Sequence, residues 1–293
     1  MTEDERVLIV AFDGLDKEKI EEFGCENLMQ EEFGKIDITD HDRLGTPWLW
    51  ASFLTGQKHE FRAVKRLNND LLERMEVFFW KHVWPMKKWA GLRTKLLRKI
   101  PGIHNTNHTR EDLEAETFLE KIGAPGYYVP AYNEYPFNEF SDYASLTVEA
   151  LGGGKHTREE VVKKHRELFL RQKEELLRLI ENDVHNSFMF YFKYPDAIQH
   201  LLFNGPIDYA GEDYGIEEMY HELDDLAGDI RDAAPHELVL FLSDHGLEDG
   251  DHNLNAFYSS NQEIEIRKPE LTDFHSLILE NASQSRGLGD IDI

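Results

Sequence analysis

Three short apolar runs that each lead to an aspartate constrain this 293-residue chain more than any other feature. Val7 to Phe12 (VLIVAF) ends at Asp13-Gly14. Ser187 to Lys193 (SFMFYFK) passes Pro195 to reach Asp196, and Leu238 to Leu242 stops at Ser243-Asp244-His245-Gly246. Unbroken apolarity over so few residues marks a strand buried on both faces, and such strands belong to parallel sheets covered by helices. The segments between them read as helices. Thr157 and Glu160 have capping-box spacing at the head of a helix running to about Asn182. Glu217 to Asp232 reads as an acidic amphipathic helix and Leu271 to Glu280 as a last packing helix. Strands alternating with helices predict a three-layer α/β/α architecture with a largely parallel central sheet. One domain is expected, with core segments 1–60 and 121–281, a helical cap insertion over 61–120 and a loose tail over 282–293.

In an open sheet of this kind ligands gather at the carboxyl ends of the strands. One carboxylate there means little, because Asp also favours turns and helix N-caps. Three can face a common crevice. Asp196 and His200 are four apart, so a helix beginning near Pro195 would place both on one face, able to grip one ion. The alternative is a capping Asp beside an ordinary packed His. Asp244 and His245 add two ligands, Asp13 a third, and His252 follows after a short acidic turn. This inventory fits two metal sites of mixed Asp/His character, the arrangement that can clamp an in-line phosphoryl transfer. Thr46, between Gly45 and Pro47 before a helix-like run, is the candidate nucleophile; the alternative is that it only caps that helix.

Charge narrows the partners. With 57 acidic against 32 basic residues the formal charge is −25, which argues against bulk nucleic-acid binding. It suits a soluble protein, including one living in high salt. A single cysteine, Cys25, excludes an internal disulfide and a Cys-rich zinc site. The acidic N-terminal stretch lacks the form of a signal peptide and no apolar run is long enough to span a bilayer, so a cytoplasmic location is expected.

Four segments in order, VAFDG, TPWLWASFLTG, YPDAIQH and LSDHG, resemble the alkaline phosphatase superfamily, and most of all its type I phosphodiesterase/nucleotide pyrophosphatase branch. In that family a Thr or Ser nucleophile stands ten residues before the Gly of a Thr-Gly pair, as Thr46 stands before Gly56 here, with Trp50 and Ser52 also fitting. The resemblance covers 1–60 and 185–255. It implies an alkaline-phosphatase-like fold and a phosphoester hydrolase with two divalent ions, zinc or manganese, working through a phospho-threonine at Thr46. One ion would be held by Asp13, Thr46, Asp244 and His245, the other by Asp196, His200 and a late His. His252 is the choice for that last ligand, although in many relatives it comes further along; His275 is the alternative. Asn68 and Asn69 fall where relatives carry a donor to the phosphoryl oxygens. A small-molecule phosphodiester is the expected substrate. A phosphomonoesterase, phosphotransferase or sulfatase-like hydrolase with the same site, or a silent metal-binding scaffold that docks a partner, are the alternatives.

The segment 78–99 gathers Lys81, Lys87, Lys88, Arg93, Lys95, Arg98 and Lys99 beside Phe78, Phe79, Trp80, Trp84 and Trp89. A packed cap with a solvated basic face explains it most simply; contact with an anionic substrate or with a membrane surface are the alternatives.

Overall fold

A computed structural model describes residues 6–41, 44–58, 108–133, 146–147, 150–151, 156–234 and 238–286. The chain divides into one compact unit made of Met1–His59 with Thr109–Ile293 and another, Glu60–His108. All the elements below belong to the first. Asn68, Asn69 and the basic aromatic segment 78–99 lie outside the described residues.

The chain enters on β1 (Val7–Phe12), turns into α1 (Lys17–Glu22), and runs along β2 (Glu32–Lys35) to α2 (Thr46–Thr55). After the short helix α3 (Phe118–Ile122) and strand β3 (Gly126–Tyr127) comes the long α4 (Arg158–Glu181), then β4 (Phe188–Phe192) and α5 (Tyr194–Leu202). A small hairpin, β5 (Ile207–Tyr209) with β6 (Glu212–Tyr214), precedes α6 (Ile216–Ala233) and β7 (Leu238–Ser243). A second hairpin, β8 (Gly246–Glu248) with β9 (Asp251–Asn253), leads to β10 (Phe257–Ser260) and the final helix α7 (Leu271–Arg286).

The six-stranded sheet has the order β2-β10-β7-β1-β4-β3. β1 pairs in parallel with both β4 and β7, and β3 in parallel with β4. Only β10 departs, running antiparallel to β7 and β2. The architecture is therefore α/β with a largely parallel sheet, as the apolar strands predict. Every residue of β1, β4 and β7 is buried. Leu8, Val10, Phe12, Phe188, Phe190, Phe192, Val239 and Phe241 point into one core with residues of α1 and α4 to α6, while α2, α3 and α7 pack together as a separate group. On that second side Trp50 meets Tyr191 edge to face at 5.8 Å.

Each fully buried Phe or Leu in these strands is worth about 1.5–3 kcal/mol. Sliding a strand by one residue would forfeit packing on both faces and draw an Asp under the sheet, at a further cost of several kcal/mol. Register is thereby fixed: Phe12 lies opposite both Phe192 and Ser243. Asp13 and Asp244, each one residue beyond its strand, must emerge at the same edge.

Helix ends follow local chemistry. α4 starts at the expected capping box, Thr157 accepting from the Glu160 N–H while the Glu160 carboxylate accepts from the Thr157 N–H. α7 continues past Glu280 to Arg286, because Asn281 to Arg286 holds no Gly or Pro and Ala282 is buried.

Candidate active site

The candidate ligands come together at the carboxyl edge of the sheet. Asp13 follows β1, with its N–H donating to the Phe192 carbonyl at 2.9 Å. Asp244 and His245 follow β7, and both are wholly buried. α5 begins at Tyr194, so Asp196 and His200 share a helix face as their spacing predicts; His200 Nε2 is 3.2 Å from Asp196 Oδ1. His252 returns by the β8–β9 hairpin, whose register sets it opposite Leu247. That tight return explains how so short a spacing brings it back: its ring stacks on His245 with centroids 3.8 Å apart, and its Nε2 is 3.5 Å from Asp196 Oδ1. His275, the alternative, sits on α7 against Phe118 and Lys121 and belongs to neither group of ligand atoms.

Two overlapping groups, which share His245, have donors close enough for an ion: Asp13, Asp244 and His245, and Asp196, His245 and His252. His200, expected as a ligand beside Asp196, is in neither and meets the second through Asp196 Oδ1. His245 Nε2 lies 3.4 Å from Asp13 Oδ1 and 3.5 Å from Asp244 Oδ2. Both key imidazoles are oriented through their other nitrogen. His245 Nδ1 is 3.0 Å from the Gly246 carbonyl and His252 Nδ1 2.8 Å from that of Leu44. A carbonyl only accepts, so Nδ1 carries the proton and Nε2 faces the ligand position.

Chemistry of the donor set fits a cation. Asp196 Oδ1, Asp244 Oδ2 and His245 Nε2 are buried and, among the described residues, make only ion-pair approaches of 3.2 to 3.5 Å rather than well-aligned hydrogen bonds. Buried polar atoms left so are costly, and a divalent ion is the partner that would satisfy carboxylates and imidazole together. Without a cation, protons take its place. Burial, helped by Asp13 and Asp196, pushes the Asp244 carboxyl up to about 8. For His245 burial works the other way, but the carboxylates of Asp244, Asp13 and Asp196 outweigh it and hold the imidazole up at about 10. Asp196 is pushed up by burial yet held well below the carboxylate range by His200 and His252.

Thr46 opens α2 behind Gly45, and its hydroxyl donates to Asp13 Oδ1 at 3.1 Å. Asp13 Oδ2 accepts at 2.5 Å from the hydroxyl of Tyr191, a residue that sequence reasoning left in the core. The signal was present in β4: a lone hydroxyl-bearing aromatic in FMFYF, facing away from its Phe neighbours. Asp16 was missed too. It caps α1 through Oδ1 while its Oδ2 accepts from Asn253 Nδ2 at 2.7 Å, anchoring the strand that carries His252.

Gly14 is where backbone freedom is required, with φ of +69°. A Cβ there would come within 3.3 Å of both Asp196 Cβ and His245 Cε1. Gly14→Ala is expected to cost about 1–3 kcal/mol in stability and to weaken metal binding. Denaturant midpoints with and without metal check this, and equal loss in both states would refute the effect on the metal site.

Residues 63–286 match the family described as type I phosphodiesterase/nucleotide pyrophosphatase. The chain belongs to that family, a branch of the alkaline phosphatase superfamily in which phosphoester hydrolysis and metal dependence are typical. The matched span contains Asp196, His200, Asp244, His245 and His252. It also takes in most of 61–120, which sequence reading left outside the resemblance, and leaves out Asp13 and Thr46. No curated protein matches. Among solved structures, murine ectonucleotide pyrophosphatase/phosphodiesterase 5 is similar at 15% identity over 83% of this chain, with a TM-score of 0.40. This chain spans 57% of that protein's length. PH0037 from Pyrococcus horikoshii is 14% identical over 99% of this chain and 100% of its own, TM-score 0.41. Ps i-CgsB, solved with a neocarrahexaose, is 10% identical over 96% of this chain and 72% of its own, TM-score 0.45. No described helix is long and apolar enough to cross a membrane.

Proposed function

We propose that the chain is a two-metal phosphodiesterase or nucleotide pyrophosphatase acting through a phospho-threonine at Thr46. One observation carries this: the Thr46 hydroxyl is bonded to Asp13 at the edge of two adjoining Asp/His groups, at a helix N-terminus. Asp13, Thr46, Asp244 and His245 would hold one ion and Asp196, His200 and His252 the other; such donors suit zinc and manganese alike. When bound, the two dications supply Lewis acidity, lowering the pKa of a coordinated hydroxyl and neutralising charge that develops on the phosphoryl group.

The other tasks fall to the protein's own residues. Asp13 receives the Thr46 hydroxyl and fixes its direction, and the Tyr191 hydroxyl holds the second oxygen of Asp13 so that the carboxylate cannot rotate. Thr46 Oγ1 gives up its proton to solvent and attacks phosphorus, the bond to the leaving alkoxide breaks, and the alkoxide takes a proton back from solvent to depart as the alcohol. Water then cleaves the Thr46–phosphorus bond, releasing a phosphate monoester and restoring the hydroxyl. The N-terminus of α2 adds positive potential beside the transferred group. A small-molecule phosphoester as substrate, no nucleic-acid polymer as partner, and a cytoplasmic location complete the proposal; the charge of −25 and the lone, buried, free Cys25 support the last two.

The test is hydrolysis of a nitrophenyl phosphodiester and the matching monoester, side by side, by metal-stripped protein given zinc or manganese. A strong diester preference is expected. Monoester preference would move the assignment to a phosphatase or phosphotransferase, and no turnover with metal bound would favour the scaffold.

A further inference from the structure

We propose that Gln199 is a positioning residue that sets the spacing between the two metal positions, an inference that rests on the two-metal reading above. Gln199 precedes His200 on α5 and is completely buried. A buried primary amide is costly unless both of its ends are satisfied, and here they are. Nε2 donates to the Gly14 carbonyl at 2.7 Å and to the Pro195 carbonyl at 3.2 Å. Oε1 accepts from the Tyr220 hydroxyl at 3.1 Å, and the oxygen of that hydroxyl accepts from the Asp16 N–H at 2.9 Å.

The importance of this network lies in what it joins. Gly14 follows Asp13, one of the first group of ligands, while α5 carries Asp196 and His200. Gly14 donates through its N–H to Asp244 Oδ1 at 3.2 Å and accepts through its carbonyl from Gln199. Its backbone is thus clamped between a ligand from β7 and a side chain from the helix that bears the other ligands. The same residue separates Asp196 from His245, each 3.3 Å from where its Cβ would be. Among the described residues, Gln199 is the side chain that fastens α5 to the Asp13-Gly14 turn by a direct hydrogen bond. None of these hydrogen bonds goes to a candidate ligand atom.

Mn2+ alone serves as the probe. Wild-type protein, Gln199→Met and Tyr220→Phe are titrated calorimetrically with Mn2+, and the loaded forms are compared by electron paramagnetic resonance, which reports magnetic coupling between neighbouring ions. Met matches Gln closely in shape but removes the donor and the acceptor. Loss of outer hydrogen-bond partners typically weakens metal binding about 10–100-fold. The expected result is a coupled pair in wild type. In Gln199→Met the weaker ion should bind at least about 10-fold less tightly, and the signal of isolated ions should replace the coupled one. The tighter ion should bind as before. Tyr220→Phe should shift coupling in the same direction by less, and it carries the test if Gln199→Met fails to fold. Unchanged coupling and affinity in the variants would overturn the proposal while leaving the two-metal reading intact. Equal weakening of both ions would overturn it in favour of a general structural role. Absence of a coupled pair in wild type would overturn the two-metal reading and this proposal with it.

Discussion

Thr46→Ala is expected to reduce phosphodiester turnover by at least about a thousandfold with bound-metal content and folding almost unchanged. The reduction should be large because the covalent route runs through that hydroxyl. Asp13 is already engaged by Tyr191, and the adjacent Gly45 and Pro47 offer no nucleophile. Folding should survive because Thr46 is the first residue of α2 rather than its cap, which is Gly45; Ala is tolerated well at such a position. Asp13 would lose one side-chain donor, a change worth about 1 kcal/mol. Thr46→Ser keeps the hydroxyl and should keep most of the activity. Stopped turnover in the Ala variant, restored by Ser, with equal metal content by elemental analysis, is the expected pattern. Retained activity in Thr46→Ala would remove the covalent route and leave direct attack by water as the mechanism.

How far the sequence foretold this site follows from the range of the forces involved. β1, β4 and β7 were legible because burial on both faces leaves unbroken apolar runs, and Asp13, Asp196 and Asp244 because a charge must stop or follow such a run. Thr157 announced α4 through purely local hydrogen bonds. β10 was not legible: Ser259 and Ser260 are completely buried yet carry no apolar signal, and their burial depends on partners supplied by β7 and β2. The same holds for Tyr191, Gln199, Asp16, Tyr220 and Asn253. Each looks like ordinary core or turn material until residues far apart in sequence meet, as when Gln199 reaches the carbonyl of Gly14. Candidate ligand residues are constrained by chemistry that spacing can reveal. The residues that orient them are constrained by three-dimensional neighbours, which spacing cannot reveal. The hairpin return of His252 lies between these cases, since the turn over Glu248 to Asp251 is local but its match to Asp196 is not.

Metal-free protein should lose stability as pH rises from about 6.5 toward about 10, and bound metal should abolish that loss. His245 is held up at about 10 against an ordinary 6.5, so its favourable charge is fully present below 6.5 and is lost as pH passes through 10. His200 is raised as well, since Asp196 outweighs the effect of burial, and acts in the same direction. Asp244, pushed up to about 8, disfavours the fold increasingly as pH climbs from 3.8 to 8, because the unfolded chain ionises it more easily. Asp196 has the opposite sign, but its pKa is lowered, so its contribution disappears only in acid. Between 6.5 and 10 the folded apo site therefore binds more protons than the unfolded chain, and stability must fall with pH. Each pKa unit corresponds to about 1.4 kcal/mol, so His245 alone makes this a change of a few kcal/mol, a substantial part of a typical domain's stability. A divalent ion displaces those protons and satisfies the same atoms. Urea midpoints measured across this interval should slope downward with a chelator and stay level with saturating Mn2+, the gap widening with pH. Parallel curves would mean that the Asp/His groups at the sheet edge do not hold the ion, which would remove the basis for placing the chemistry there.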